Sequence, residues 1–538
     1  MAIRTLSLMI ALALPVPGFT ASPADHIQTD VAYLASDALE GRAAGSAGHA
    51  LAATYVERQL RAAGLQPAGE HGRFVQSVPL RRATLVPGST LARIGEGGRG
   101  QPLGPESLRV APSLARAAFD LGAGLLFVGY GIDEPTLGGS DYAGLDARGK
   151  IVVAFAGAPP GLGSEVAAFV KSQKSAVAAA HGAVGFIEIP SWPAAGGAGD
   201  LGRDLAAPVD GWAGPGEAGP WEAGPGPDLA QLTISSRLAE RMFAGAPRSL
   251  ADLRREALAG KRPTGFALRP TLSVAARSSW SDSASPQLFA RLTGSDPALA
   301  GQSIVLVAHL DHLGRVTPDR PGGDGIDNGA LDNAAGVAIL VEVARLLAAE
   351  RAAPRRSIVL LITTAEELGD VGSDYAVSHW SSAAGKPVAA INLDMPLLLF
   401  HATDIAAPGG EHGAIGEALA AAGRPLGLAL SPDPMPQQEL ITRSDQLRFI
   451  ERGVPAALVV TGHANGGEAA WADFLAHHYH QPSDDLAQPI RWNEAARLAL
   501  LIAGAARRLA NQPALPGWNE GEFFANRTAR RTIRLAKD

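Results

Sequence analysis

The residues that offer the most chemistry in this chain follow short apolar runs. Residues 303–308 (SIVLVA) lead directly into His309-Leu-Asp311-His312. Residues 358–364 (IVLLITT) run into Ala365-Glu366-Glu367, and residues 388–393 (VAAINL) run into Asp394. Asp332-Asn333 stands ahead of a helical apolar pattern, and His480 lies far downstream in a Pro-containing turn, residues 479–485 (YHQPSDD). His309, Asp332, Glu367, Asp394 and His480 together provide nitrogen and oxygen donors of the kind zinc accepts. Donors on either side of one shared carboxylate suit two adjacent metals that clamp a hydrolytic displacement. The neighbouring glutamates make sense if one binds metal while the other takes a proton from water. Asp311 is expected to hydrogen-bond the His309 ring and raise its basicity. Each residue alone also has a plainer reading. Glu366-Glu367 suits a solvated helix start, Asp332 an N-cap, His480 a surface turn, and His309 a hydrogen-bonded core histidine. The set taken together argues for a site.

The elements that must hold these groups are readable from periodicity. The apolar, β-branched runs predict parallel-type strands buried on both faces. In open α/β sheets the ligand crevice lies at the carboxyl ends of such strands. The run 337–349 predicts a helix whose N-terminus carries Asp332 and Asn333, where a carboxylate is favoured by the helix dipole. Upstream, 49–63 predicts an amphipathic helix and 74–80 a strand. Short β-like runs at 124–130, 150–155 and 185–189 suggest a separate β-rich domain. The Gly/Pro/Ala-rich stretch 193–227 predicts loop. The tail from Trp518, with Arg527, Arg530, Arg531, Arg534 and Lys537, predicts a solvated helix.

The remaining composition narrows the classes. At 538 residues the chain is too long for one ordinary core. Hydrophobic residues make up 46% and charged residues 18%, as in a folded globular protein. The net charge of −7 disfavours a nucleic-acid surface. The absence of cysteine removes disulfides, thiolate metal sites and Cys nucleophiles, so any metal must be held by His, Asp and Glu. Arg4 followed by the apolar run 6–14 (LSLMIALAL), then Pro15, Pro17 and Gly18, predicts a signal peptide over residues 1–21 and hence a secreted or periplasmic protein. No later run is long and apolar enough to span a membrane. The literal GxGxxG at 95–100 precedes Gln101-Pro102, which cannot open a helix, so it reads as a turn. No P-loop, HExxH or GxSxG occurs.

The motifs AHLDHLG (308–314), GALDNAAGVA (329–338), TAEELGDVGSDY (364–375), INLDM (391–395), RSDQ (443–446) and YHQPSDD (479–485) resemble the zinc aminopeptidases of the M28 type. Residues 35–65 resemble that family's N-terminal segment, and 127–153 resemble the protease-associated domain often inserted in it. The resemblance implies an α/β fold with a mixed twisted central sheet flanked by helices and a β-rich inserted domain. The corresponding division is a discontinuous peptidase domain over 22–104 and 281–512, an insertion over 105–280, and a tail over 513–538. It further implies two zinc ions per chain, His309 and Asp394 on one, Glu367 and His480 on the other, with Asp332 bridging and Glu366 as general base. A metal-bridging hydroxide would then attack the scissile carbonyl of a peptide substrate. Gln446 stands where many members have His, at a position expected to line the substrate side. Rival readings are a carboxypeptidase, for which Arg443 is the visible candidate anchor, a glutaminyl-cyclase-like enzyme, and a metal-free binding protein on the same fold. The oligomeric state is left open by the sequence.

Overall fold

The structure is a computed structural model and describes residues 21–96, 99–190, 207–212, 229–317 and 324–526. The predicted signal peptide lies outside these residues, apart from Ala21. The chain begins with helices α1 (Pro23–Leu34) and α2 (Ala47–Ala62). Ser22 and Asp25 close a reciprocal capping box at the start of α1, which satisfies otherwise orphaned backbone groups. Strand β1 (Val75–Leu85) follows, then β2 (Leu91–Glu96), β3 (Ala118–Phe127) and β4 (Ile151–Phe155). Helix α3 (Ser164–Ala180) leads to β5 (Gly185–Ile189), β6 (Val209–Trp212) and β7 (Ala230–Ile234). The long strand β8 (Phe266–Leu292) precedes β9 (Gln302–His309), helix α4 (Ala335–Ala348) and β10 (Ser357–Thr363). Helix α5 (Val371–Ser378), β11 (Lys386–Leu393), β12 (Ala456–Thr461) and helix α6 (Trp492–Asn511) complete the frame.

Strand β8 belongs to two sheets. Its residues from 278 onward pair antiparallel with β1 and, further along, with β10. Beyond β10 come β9, β11 and β12, all parallel. Residues of β8 before 278 pair antiparallel with β2 on one side and β3 on the other. Parallel pairing then continues through β4 and β5 to β7. The handover occurs between Arg277, opposite Ala118, and Ser278, opposite Leu85. Because β2 and its hairpin partner Arg99–Leu103 pair within the second sheet, the sheets divide in the chain soon after Leu85, earlier than the sequence edge at 104. In that hairpin Gly95 pairs with Gly100 and Glu96 with Arg99.

The period-2 alternation of β9 and β10 explains how the core is split. Ile304, Leu306, Ile358 and Leu360 face the cluster built on α1, α2, α4 and α6. Val305, Val307, Val359 and Leu361 face a second cluster with Trp380 and Phe449. Side chains of this size contribute about 1.5–3 kcal/mol each when fully buried, which is what tolerates charged groups at the strand ends. Phe169 of α3 enters the second cluster, so the helix of the other sheet helps to build the face behind the site.

Two sequence expectations change here. Residues 209–212, within the predicted loop, form an edge strand on β1, and the Trp212 indole N–H donates to Asp374 at 2.9 Å. The tail is not a solvated helix in its described part: Phe524 is buried, stacked on Trp518 and edge-on to Phe169. Local composition cannot reveal a partner strand or ring supplied from elsewhere in the chain.

Candidate active site

Three parallel strands deliver polar groups at one edge of the larger sheet. His309 is the last residue of β9 and pairs with Thr363, the last of β10. Glu366 and Glu367 lie in the turn after β10, and Asp394 directly follows β11. Asp332 comes from a turn over residues 330–334 that precedes α4, and His480 from the turn after Tyr479.

The His309 ring is fixed by an Nδ1–H bond to the backbone carbonyl of Asp311 at 3.1 Å. Its Nε2 therefore faces Asp394 Oδ1 at 2.9 Å and Asp332 Oδ1 at 3.2 Å. The other oxygen of Asp332 lies 3.4 Å from His480 Nε2, which is also 3.2 Å from Glu367 Oε2. Asp332 thus stands between the two imidazoles, one oxygen toward each. It does not cap α4; Ala334 occupies the N-cap, with no side-chain bond. Instead the Leu331 and Asp332 N–H groups donate to the Asp484 carboxylate at 2.9 and 3.0 Å, locking the turn.

Asp311 departs from expectation. Its carboxylate does not bond the His309 ring; it accepts the backbone N–H groups of Glu366 and Glu367 at 3.2 and 3.4 Å. The main-chain oxygen orients the histidine, while the side chain orients the Glu-Glu turn. Gln446 also differs: it is fully buried, donates to the Leu440 carbonyl at 2.8 Å and accepts from Asn392, so it ties the 440–446 loop to β11 rather than lining the cavity.

Three contributors were missed. His312 donates from Nδ1 to Glu367 Oε1 at 2.7 Å and so orients a site carboxylate; the second histidine of the His-x-Asp-His motif was the available signal. Tyr479 stacks on the His480 ring with centroids 3.8 Å apart. Arg42, fully buried, bridges the carbonyls of Leu34, Leu310, Asn328 and Gly329, which ties the N-terminal segment to the loops beneath the site. No local pattern distinguishes it.

The electrostatics follow from packing several carboxylates in one buried place. Burial raises Glu366 well above the usual range, against the pull of His309 and with Asp394, Asp370 and Glu367 adding to the rise. Burial and the Asp332 charge also push Glu367 up, but bonds from His312 and His480 prevail and leave it at about 2. Burial opposes ionisation of Asp332 too, yet His309 and His480 hold it far below the ordinary value. Burial lowers His480, and the Asp332 and Glu367 carboxylates overcome that, raising it to about 10.

These carboxylates and rings demand positive charge between them. Either both rings carry an extra proton or metal ions occupy the space. The donor chemistry fits metal: ligand atoms about 2.0–2.2 Å from a tetrahedral zinc are about 3.3 Å from each other, close to the spacings here. Ligand atoms of His309, Asp332 and Glu367 all lie within 4.8 Å of one another. The set opens into a cavity of about 640 Å³ whose lining also includes Met435, Leu458, Val460, Trp471 and Leu475. Among the described residues lining it, Arg443 is the one arginine, held by Gln438 and Tyr479.

Residues 287–506 match the model of peptidase family M28. The match runs from the end of β8 into α6 and contains all the candidate metal-ligating residues named above. Among solved structures, this chain is similar to an aminopeptidase from Aneurinibacillus sp. strain AM-1, with 20% identity, 91% of this chain and 95% of that one covered, and a TM-score of 0.46. A zinc aminopeptidase from Bacillus subtilis shows 18% identity, coverage of 94% and 97%, and a TM-score of 0.42. A peptidase M28 precursor from Shewanella amazonensis SB2B shows 20% identity, coverage of 92% and 96%, and a TM-score of 0.41. The matched segment holds the parallel strands whose carboxyl ends carry this side-chain cluster.

Proposed function

We propose that this M28 peptidase is an exported, two-zinc aminopeptidase that removes N-terminal residues from peptides. The observation that carries the reading is the Asp332 carboxylate, with one oxygen toward His309 and the other toward His480. In this reading His309 and Asp394 hold one ion, Glu367 and His480 hold the other, and Asp332 serves both. Zinc bound there supplies Lewis acidity that acidifies water and polarises the scissile carbonyl. Glu366 accepts the proton of the attacking water on its carboxylate and returns it to the leaving amine. Asp311 acts at one remove by fixing the Glu366 and Glu367 N–H groups. His312 fixes Glu367, and the 331–332 turn is fixed by Asp484. The apolar wall of the cavity receives the first side chain of the substrate.

The single cavity arginine argues against a carboxypeptidase, which needs a convergent cationic anchor for the substrate C-terminus. The smaller sheet, which begins soon after Leu85, is read as a protease-associated-type insertion and residues 1–21 as the export signal. Among the described residues no helix is long and apolar enough to cross a membrane.

The test is hydrolysis of aminoacyl p-nitroanilides by the purified protein and by Glu366→Gln, with zinc per chain measured alongside. The expected result is loss of about a thousandfold in kcat with zinc content unchanged. Comparable activity in Glu366→Gln removes it as the base. Activity on N-blocked peptides alone removes the aminopeptidase reading.

A further inference from the structure

Part of the cavity wall is held from outside the larger sheet. Gln438, Leu440, Thr442 and Arg443 line the cavity and belong to one turn, residues 436–443, which supplies none of the candidate metal ligands. At its centre Glu439 has a left-handed backbone, φ 54° and ψ 40°. Residues that carry a Cβ disfavour that conformation, so the corner needs support. Beyond the corner, Gln446 holds the Leu440 carbonyl. Up to it, among the described residues, the hydrogen bonds are short-range. The Glu439 N–H and carbonyl pair with Pro436 and Thr442, and the Gln438 side chain accepts from Arg443. The exception is the Glu439 carboxylate, which meets Lys171 Nζ at 2.6 Å.

Lys171 lies on α3, the crossover helix between the parallel strands β4 and β5 of the smaller sheet. Three contacts fix that helix against the body of the larger sheet. Glu165 accepts the Gly409 N–H at 3.1 Å, Phe169 is buried with Trp380 and Phe449, and Gln173 donates to Glu451 at 2.7 Å. Helix α3 is thus a fixed post, and Lys171 carries its support to the left-handed corner.

We propose that Lys171 is a positioning residue of the substrate pocket. Through Glu439 it holds the 436–443 turn, so a helix of the smaller sheet sets how closely the wall fits the substrate's first side chain. The proposal rests on the aminopeptidase reading of this cavity and adds a residue to it. Lys171 and Glu439 are 43% and 35% exposed, so the pair itself contributes little to folding. Its effect belongs in recognition. Glu366 and the candidate metal ligands come from other segments, so the chemical step is left alone. The plainer role, an ion pair that only adds stability, predicts no change in substrate selection.

The experiment measures kinetics on leucine and alanine p-nitroanilides with the zinc-loaded full chain. The proteins are wild type, Lys171→Glu, Glu439→Lys, the double reversal and Lys171→Arg, with melting temperature and zinc per chain recorded for each. Arg148→Glu, which breaks an exposed ion pair with Asp146 within the smaller sheet, is the control. Each single reversal should raise KM for the leucine substrate about three- to fivefold, the scale of an exposed ion pair. KM for the alanine substrate and both kcat values should change by less than about twofold. The double reversal and Lys171→Arg should restore the wild-type ratio of the two KM values, which assigns the effect to the pair. Arg148→Glu should leave that ratio alone. If Glu439→Lys fails to fold, Lys171→Glu and Lys171→Arg carry the comparison. Single reversals that leave the ratio unmoved, or a matching shift in Arg148→Glu, overturn the proposal while wild-type turnover upholds the parent reading. Wild type that hydrolyses neither anilide overturns both.

Discussion

The two sheets that share β8 have similar wiring and opposite chemistry. In both, an antiparallel β8 borders a run of parallel strands. In the larger sheet the parallel strands end in His309, in Thr363 ahead of Glu366, and in Leu393 ahead of Asp394. In the smaller one they end in Phe127-Val128, Phe155-Ala156 and Ile189-Pro190. Parallel topology creates a crevice at the carboxyl ends of strands, but a reactive site arises only where the chain places ligating side chains there. The apolar ends of the smaller sheet contribute to packing: Phe127 and Phe155 meet edge-on with ring centroids 5.2 Å apart.

That contrast predicts separable failures. The largest effect belongs to the larger sheet. Asp332→Ala should abolish hydrolysis and lower bound zinc from about two per chain to below one, read by metal analysis, while the unfolding midpoint of the smaller sheet's core is retained. Full activity with two zincs would dissolve the contrast. Next comes Phe155→Ala in the smaller sheet. Emptying that fully buried position should cost about 3–5 kcal/mol in denaturant unfolding, with zinc content and kcat of the folded fraction little changed. A matching loss of zinc would mean that the two sheets fold and bind as one unit.

The smallest effect concerns the seam between the regions. His412 bonds Glu165 at the start of α3 at 2.7 Å and Glu522 in the tail at 2.9 Å. Burial lowers its proton affinity, but the Glu165 bond and charge, with Glu522, outweigh that and raise it to about 9. The folded value exceeds the ordinary 6.5, so the protonated ring stabilises the fold fully below pH 6.5, and that contribution fades as pH rises through 9. Thermal melts of wild type and His412→Asn should differ most near pH 6 and converge above pH 9. A gap that is constant across this range would show that the seam is held by packing alone.

Much of the architecture was legible locally. The runs before His309, Glu366 and Asp394 are nearly continuously apolar, and that pattern follows from burial on both faces of a sheet. The donor types at their ends were equally visible, and although each alone had a plainer reading, the set together pointed to a site. The edge of the smaller sheet was less so: β2 carries no mark of which sheet it pairs with. Trp212 and Phe524 were hidden for the same reason, because their partners, Asp374 and Phe169, lie far off in the chain.

The sequence by itself determined which segments become buried strands and helices and which residues can ligate, because those properties depend on side-chain chemistry and spacing along the chain. Tertiary structure decided whom each group meets. It gave the Asp311 carboxylate to two backbone N–H groups and left its carbonyl for His309. It buried Gln446 in a loop brace, brought Arg42 beneath the site, and left Asp370 uncapped at the cavity wall. Such pairings are set by how distant strands and turns cross in space, and residue order alone does not encode them.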